Sequence, residues 1–101
     1  EVLNGNGVAG GAGHFTGFLG DEGFDVQNTD NASNFAYQQT EVIARSEDHQ
    51  KAIAVARALQ IDTSAVQIKP DPSLQLDVTV ILGKDYKELP VYKSIQESSI
   101  P

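Results

Sequence analysis

The order of apolar and polar positions at the start of the chain predicts a strand followed by a helix. Residues 1–4 are extended in type and apolar, and a glycine-rich stretch follows at once, as in a strand that enters a loop. From Val8 to Leu19, apolar side chains recur at helical spacing, and Gly23 stands where a C-terminal cap is expected. The chain therefore begins β-α.

This first helix is rich in glycine. A glycine inside a helix costs about 0.5–1 kcal/mol relative to alanine. We therefore expect it to be the softest regular element of the domain. The glycines concerned are Gly11, Gly13, Gly17 and Gly20.

The middle of the chain predicts two strands and a second helix. Residues 24–28 alternate apolar with polar and predict a half-buried strand, followed by a polar turn over residues 29–34. Residues 40–45 predict the next strand. Residues 46–49 then offer an N-cap and first-turn acids, and the alanine-rich segment 52–59 has one apolar face, as in an amphipathic helix.

The last third predicts two more strands and a tail. Residues 66–68 alternate as a short strand, and residues 77–83 form the most apolar segment of the chain, which is typical of a central strand buried on both faces. Residues 87–101 show no firm period, so we expect a C-terminal tail that is partly ordered or flexible. The folded domain is expected to span residues 1–86.

The predicted order is β-α-β-β-α-β-β, which is that of an α/β (α+β) protein. Each helix connects two strands, and right-handed crossovers would place both helices on one face of a mixed four- to five-stranded sheet. The fold class is therefore a two-layer sandwich. Residues 2–4 and 78–82 are expected to be inner strands, with the other sheet face open or paired.

Composition and charge exclude several classes of function. The chain has 101 residues, enough for one domain, and a net charge of −7. Residues 1–44 hold six acids and no Lys or Arg, which disfavours binding to nucleic acid or anionic lipid. No apolar run is long enough to cross a bilayer. Because the chain opens at Glu1 without a signal segment, it is expected to be a fragment of a longer protein.

The glycine-rich turn has two interpretations. Residues 5–10 satisfy the pattern G-x-G-x-x-G between a strand and a helix, and Asp30 lies 20 residues beyond Gly10, as in a dinucleotide-binding fingerprint. However, a doubly wound domain needs further β-α units, and the local acidity would repel a phosphate. The alternative, which we favour, is that the glycines only permit a tight strand-to-helix turn.

No other motif predicts catalysis, a metal site or a cofactor. The chain has no cysteine, and His14 and His49 form no H-x-x-x-H pair. The serines lie in no G-x-S-x-G elbow. The acids around the last strand match no calcium loop and are expected to be solvated; they are Asp71, Asp77, Asp85 and Glu88. The protein is therefore predicted not to be an enzyme.

Three segments together resemble a known family. They are VLNGNGVAG at residues 2–10, EGFDV at residues 22–26 and DVTVILGKDY at residues 77–86. The chain is similar over residues 1–86 to the LytR_C family, the C-terminal domain of LytR-CpsA-Psr cell-envelope proteins. The first helix departs from the family, in which that helix is rich in Ala, Leu and Arg.

The resemblance implies an extracytoplasmic module of the cell envelope, commonly behind a membrane anchor that would lie upstream, outside this chain. It is often appended to a phosphotransferase domain that joins glycopolymers to peptidoglycan, and catalysis belongs to that other domain. The implied partner is a cell-wall glycan or an envelope protein. Two further hypotheses stay open: a small nucleotide- or phosphate-binding regulatory domain that uses the Gly5–Gly10 loop, and an oligomerisation domain.

The candidate ligand site lies where the first and last strands end. Carboxyl ends of parallel strands form crevices in α/β sheets, and the turn there brings amide side chains and accessible backbone N–H groups. A neutral polar ligand such as a sugar suits this chemistry. In the alternative, the asparagines satisfy only their own backbone. The site residues are Asn4, Gly5, Asn6, Gly7, Gly10, Asp85 and Tyr86.

Overall fold

The computed structural model describes residues 1–98, which form a five-stranded mixed sheet and three α-helices. The strands are Val2–Asn4 (β1), Thr29–Asn31 (β2), Glu41–Ala44 (β3), Gln67–Ile68 (β4) and Val78–Leu82 (β5). The helices are Gly11–Asp21 (α1), Gln50–Ala58 (α2) and Pro90–Ser98 (α3). The predicted order of strands and helices is confirmed, with α3 added at the end.

The sheet has the order β2-β1-β5-β3-β4. β1 runs parallel to both of its neighbours, β3 is antiparallel to β5, and β4 is parallel to β3. In the β1–β5 pair, Val2 stands opposite Val80. β1 and β5 are therefore inner strands, as predicted, and the apolar character of β5 on both faces follows from its central position.

One face of the sheet carries the main core. Val80 and Leu82 of β5 pack there with Phe15 of α1 and with Ala56 and Leu59 of α2. Both helices connecting the strands contribute to this single cluster, so they lie on the same face. The prediction of a two-layer arrangement is confirmed.

The other face of the sheet is closed by the protein's own side chains. Thr79 is fully buried there; its hydroxyl donates to the Glu1 carboxylate (2.9 Å) and accepts from Arg45 Nε (3.0 Å). Ile43 and Ile81 are also buried on this side. The centre of this face is therefore not open.

β2 lies later in the chain than the sequence predicts. The strand was expected at residues 24–28, whereas the structure has it at Thr29–Asn31. Phe24 and Val26 pack against the core instead, and the three residues of β2 are all exposed. Alternation of apolar and polar positions indicates burial on one side. It therefore identified residues 24–28, which are partly buried, and not β2, whose side chains are exposed at the edge of the sheet.

α3 occupies most of the segment that the sequence left without a period. Pro90 begins the helix, and Val91 and Ile95 are buried in the core one helical turn apart. Tyr92 meets Tyr86 edge to face, with ring centroids 5.6 Å apart. Residues 99–101 of the predicted tail lie outside the described residues.

α1 ends as the sequence predicts. Gly23 has φ of +96°, its N–H donates to the Gly20 carbonyl, and the N–H of Phe24 donates to the Leu19 carbonyl. This is the Schellman arrangement, in which glycine adopts the left-handed conformation at no steric cost.

The glycines on the exposed side of α1 are expected to lower the stability of the domain. A Cβ added at Gly17 meets nothing within 4 Å, so Gly17→Ala is expected to raise the free energy of unfolding by about 0.5–1 kcal/mol. Urea unfolding followed by circular dichroism measures the change. A loss of stability would mean that this side of α1 is not free.

Candidate functional site at the carboxyl edge of the sheet

β1, β2 and β5 run in the same direction, so their carboxyl ends share one edge of the sheet, here called the carboxyl edge. The segment that joins β2 to β3 must cross this edge, because β3 lies on the far side of β5. Tyr37 in that segment donates its N–H to the Gly5 carbonyl (3.1 Å) and accepts at its own carbonyl from the Lys84 N–H (2.9 Å). The crossing segment thus joins the turn after β1 to the turn after β5.

Asn4 organises the turn after β1. Its Oδ1 accepts from the N–H groups of Asn6 and Gly7, each at 3.0 Å. Its Nδ2 donates to the Val8 carbonyl at 3.1 Å. Asparagine at the start of such a turn replaces backbone partners with its own side chain. The amide of Asn4 is therefore used within the turn.

Asn6 fastens this turn to the end of β5. Its Nδ2 donates to the Gly83 carbonyl at 2.9 Å, and its Oδ1 accepts from the Val8 N–H at 2.8 Å. The side-chain hydrogen bonds of both asparagines therefore hold the turn in one conformation. Any ligand at this edge therefore meets a turn that is already held in one conformation.

Asp85 has a structural partner in the crossing segment. Its Oδ1 accepts from both the N–H and the hydroxyl of Thr40, each at 2.8 Å, and the Thr40 hydroxyl in turn accepts from the Gly83 N–H at 3.1 Å. Tyr86 faces the core instead: it is buried, and its ring meets Phe15 edge to face at 6.5 Å.

The glycines of the turn have different reasons to be glycine. A Cβ on Gly5 would lie 2.7 Å from Ile81 Cγ2 and 2.9 Å from the Leu82 carbonyl oxygen, so close packing excludes a side chain there. Gly7 and Gly10 have φ of +80° and +88°, which only glycine adopts readily. The structure thus brings Asn4, Gly5, Asn6 and Gly7 together with Asp85, and it places Gly10 at the start of α1.

Two exposed apolar side chains at this edge escaped the sequence reasoning about the site. Phe35 packs on Gly7, where a Cβ would be 3.5 Å from its ring, and Phe35 remains 48% exposed. Val8, the next residue along the turn, is 44% exposed. The signal for Phe35 in the sequence is an aromatic residue within a polar loop. Because about half of its side chain stays in solvent, packing alone does not explain an aromatic residue there.

The charge at the carboxyl edge also differs from what sequence spacing indicates. No Lys or Arg precedes Arg45, but Lys84 follows Gly83 in the chain, and the fold brings the Gly83 carbonyl to the turn, where it accepts from Asn6. Lys84 is exposed. The end of β5 therefore brings a lysine next in sequence to a residue that the turn contacts, although the contact joins positions 77 residues apart in the chain.

Within residues 1–98, no group of three or more His, Asp or Glu residues is placed to hold a metal ion. Within the same range, every helix is too short or too polar to cross a membrane.

A family model settles the relationship that the motifs indicated. The model of the LytR cell envelope-related transcriptional attenuator, LytR_C, matches residues 1–86. The chain belongs to the LytR_C family. LytR_C domains are parts of cell-envelope proteins, and the family is regulatory or accessory and is not known as catalytic. No curated protein and no solved structure matches the chain.

The LytR_C match and the packed unit differ in extent. The match ends at Tyr86, whereas the hydrophobic core of this LytR_C chain includes Val91 and Ile95 of α3. The helix after the matched region thus belongs to the same core.

Proposed function

We propose that this chain is a non-catalytic, extracytoplasmic binding module of the bacterial cell envelope, accessory to cell-wall glycopolymer attachment, and that it binds a neutral glycan at the carboxyl edge. The observation that carries the proposal is the half-exposed ring of Phe35, held against Gly7 on a turn that hydrogen bonds fix in place. LytR_C membership supports the cell-envelope setting.

The chemistry of the edge favours a sugar over other ligands. The C–H face of a sugar ring packs on an exposed aromatic side chain, which offers a large contact area at low conformational cost. The exposed turn residues 7–10 offer to hydroxyls those backbone groups that are not already bonded within the protein, such as the N–H of Ala9. The six acids among residues 1–44 disfavour a strongly anionic ligand.

The same hydrogen bonds support a role without catalysis. Four polar side chains at the carboxyl edge are hydrogen-bonded to groups within the turns and the crossing segment; they are Asn4, Asn6, Thr40 and Asp85. A catalytic group has to reach the substrate with a free proton or lone pair in the right place. These four side chains instead hold the turns in place.

Phe35→Ala tests the proposal. Muropeptides and neutral envelope glycans are titrated into the labelled domain while amide shifts are followed by NMR. We expect shifts at residues 4–10 and 35–37, and a loss of affinity of about tenfold in Phe35→Ala, because a large contact area is removed. Leu74→Ala is the matched control, since Leu74 is also exposed but lies in the link between β4 and β5.

Two results would contradict the glycan assignment. One is unchanged affinity in Phe35→Ala, or shifts confined to residues outside 4–10 and 35–37. The other is a response of the same turn to inorganic phosphate and not to glycans, which would favour the phosphate-binding hypothesis with Lys84 as the cation.

A further inference from the structure

A second concavity lies at the opposite edge of the sheet, where β1 and β5 begin. It is a groove of about 500 Å³ between the end of α1, the segment 23–27, α2 and the segment 75–80. Ligand sites typically measure about 300–1,000 Å³. Its apolar lining comes mainly from Leu19, Phe24, Val26, Val55, Leu76 and Val78. The groove is therefore large enough for one or two apolar side chains of a partner.

The rim of this groove is acidic. Asp25 lines it, and the exposed Asp21 and Glu22 immediately precede the lining residue Gly23. Asp25 accepts a hydrogen bond from Gln27, which leaves its charge uncompensated. The C-terminal end of α1 also lies here, and the helix dipole adds negative potential.

Two cations belong to the described residues that line the groove, the Lys51 side chain and the N-terminal ammonium of Glu1, and both have partners. The Glu1 ammonium donates to the Val78 carbonyl at 2.8 Å, and the Glu1 carboxylate balances its charge. Lys51 Nζ lies 2.8 Å from Asp77 Oδ2, and this hydrogen bond and the charge of Asp77 raise the pKa of Lys51. The pair is exposed on both sides, so it is a weak interaction that mainly cancels two charges. The remaining rim charge is negative.

We propose that the groove binds a linear peptide segment of a partner protein in which an apolar side chain is flanked by lysine or arginine. The apolar floor takes the anchor side chain, and the acids around Gly23 face the flanking cations. A second copy of this chain is disfavoured as the occupant, because its net charge of −7 would repel the acidic rim. The site is independent of the carboxyl edge, so it can fail or succeed separately from the glycan proposal.

Three blocked hexapeptides test the chemistry of the occupant: Lys-Lys-Leu-Leu-Lys-Lys, its charge-reversed form with Glu, and a form without the anchor, with Ser in place of Leu. NMR titration of the labelled domain is expected to show shifts at residues 19–26 and 76–80 with the first peptide. The other two are expected to bind at least tenfold more weakly. Equal binding of the Glu peptide would overturn the proposal.

Two variants locate the contact. Val26→Phe fills the groove and is expected to abolish the shifts, whereas Ile68→Phe enlarges a side chain that is 52% exposed on β4 and is expected to leave binding unchanged. Asp25 is exposed, so Asp25→Asn is expected to keep the fold and to weaken binding by roughly two- to fivefold at low salt. Glu47→Gln, an exposed acid before α2, is its control.

Four further results would contradict binding of a basic peptide in the groove. Shifts confined to residues 4–10, no shifts, or a full response in Val26→Phe would overturn the proposal. So would concentration-dependent self-association that moves the groove residues in the absence of peptide. If Val26→Phe does not fold, the pair Asp25→Asn and Glu47→Gln still decides, since neither acid is buried.

Discussion

Replacing Gly83 by alanine is expected to lower the free energy of unfolding by about 3 kcal/mol or more, at the upper end of what overpacking costs. A Cβ on Gly83 would lie 2.3 Å from the carbonyl carbon of Gln39, 2.6 Å from its oxygen and 2.7 Å from the N of Thr40. All three are backbone atoms of the crossing segment, so no side-chain rotation relieves the contact. The segment has to move away, and the bonds from Gly83 to Thr40 and from Asn6 to Gly83 are strained with it.

Urea unfolding of the wild type, Gly83→Ala and Gly17→Ala measures this effect with a matched control. Gly17→Ala adds the same methyl group in open space and is expected to change stability in the opposite direction. If Gly83→Ala stayed within about 0.5 kcal/mol of the wild type, the close approach of the crossing segment to the end of β5 would be wrong.

Phe15→Ala is expected to lower the free energy of unfolding by about 3–5 kcal/mol, because the Phe15 side chain of α1 is fully buried in the core and meets Tyr86. A domain of this size is stable by about 5–15 kcal/mol, so the variant is expected to lose much of its stability. Phe35→Ala removes the same atoms from a position that is 48% exposed. It is expected to cost about 1 kcal/mol or less.

Thermal and urea unfolding of both phenylalanine variants checks this contrast. Similar losses in the two would contradict the burial of Phe15 beneath α1. The near-native stability expected of Phe35→Ala also matters for the glycan titration, because a folded variant allows its affinity to be compared directly with the wild type.

Elements that are buried on a regular period could be predicted from the sequence. β5 and α2 show the two patterns that burial imposes, an apolar run for a central strand and one apolar face for a helix. β2 has no buried side chain, so its position at the edge leaves no hydrophobic signal. Over residues 90–95 of α3, for which burial is described, two apolar positions are buried, Val91 and Ile95. This is too few to show a period, and Pro90 at its start is the other feature of the sequence that favours a helix.

The candidate site was predictable only where it depends on the order of strands. The parallel pairing of β1 and β5 brings the turn after Asn4 to Asp85, as the sequence indicated. The contributions of Phe35 and Tyr37 depend on how the crossing segment packs over the edge. Aromatic residues within a polar loop are the signal in the sequence, but that signal does not say which turn they contact. Residue type alone does not show whether an asparagine binds a ligand or the backbone of its own turn. The hydrogen bonds of Asn4 show that its side chain binds the turn.

The pairing of β1 with β5 has a consequence for how the chain folds. The first strand cannot complete its place in the sheet until Val80, Ile81 and Leu82 are available, since they form one side of it. Closing so long a loop is entropically costly, and proteins with such non-local contacts fold slowly. During synthesis the first strand and the glycine-rich helix therefore wait, without their central neighbour, until nearly the whole domain has left the ribosome.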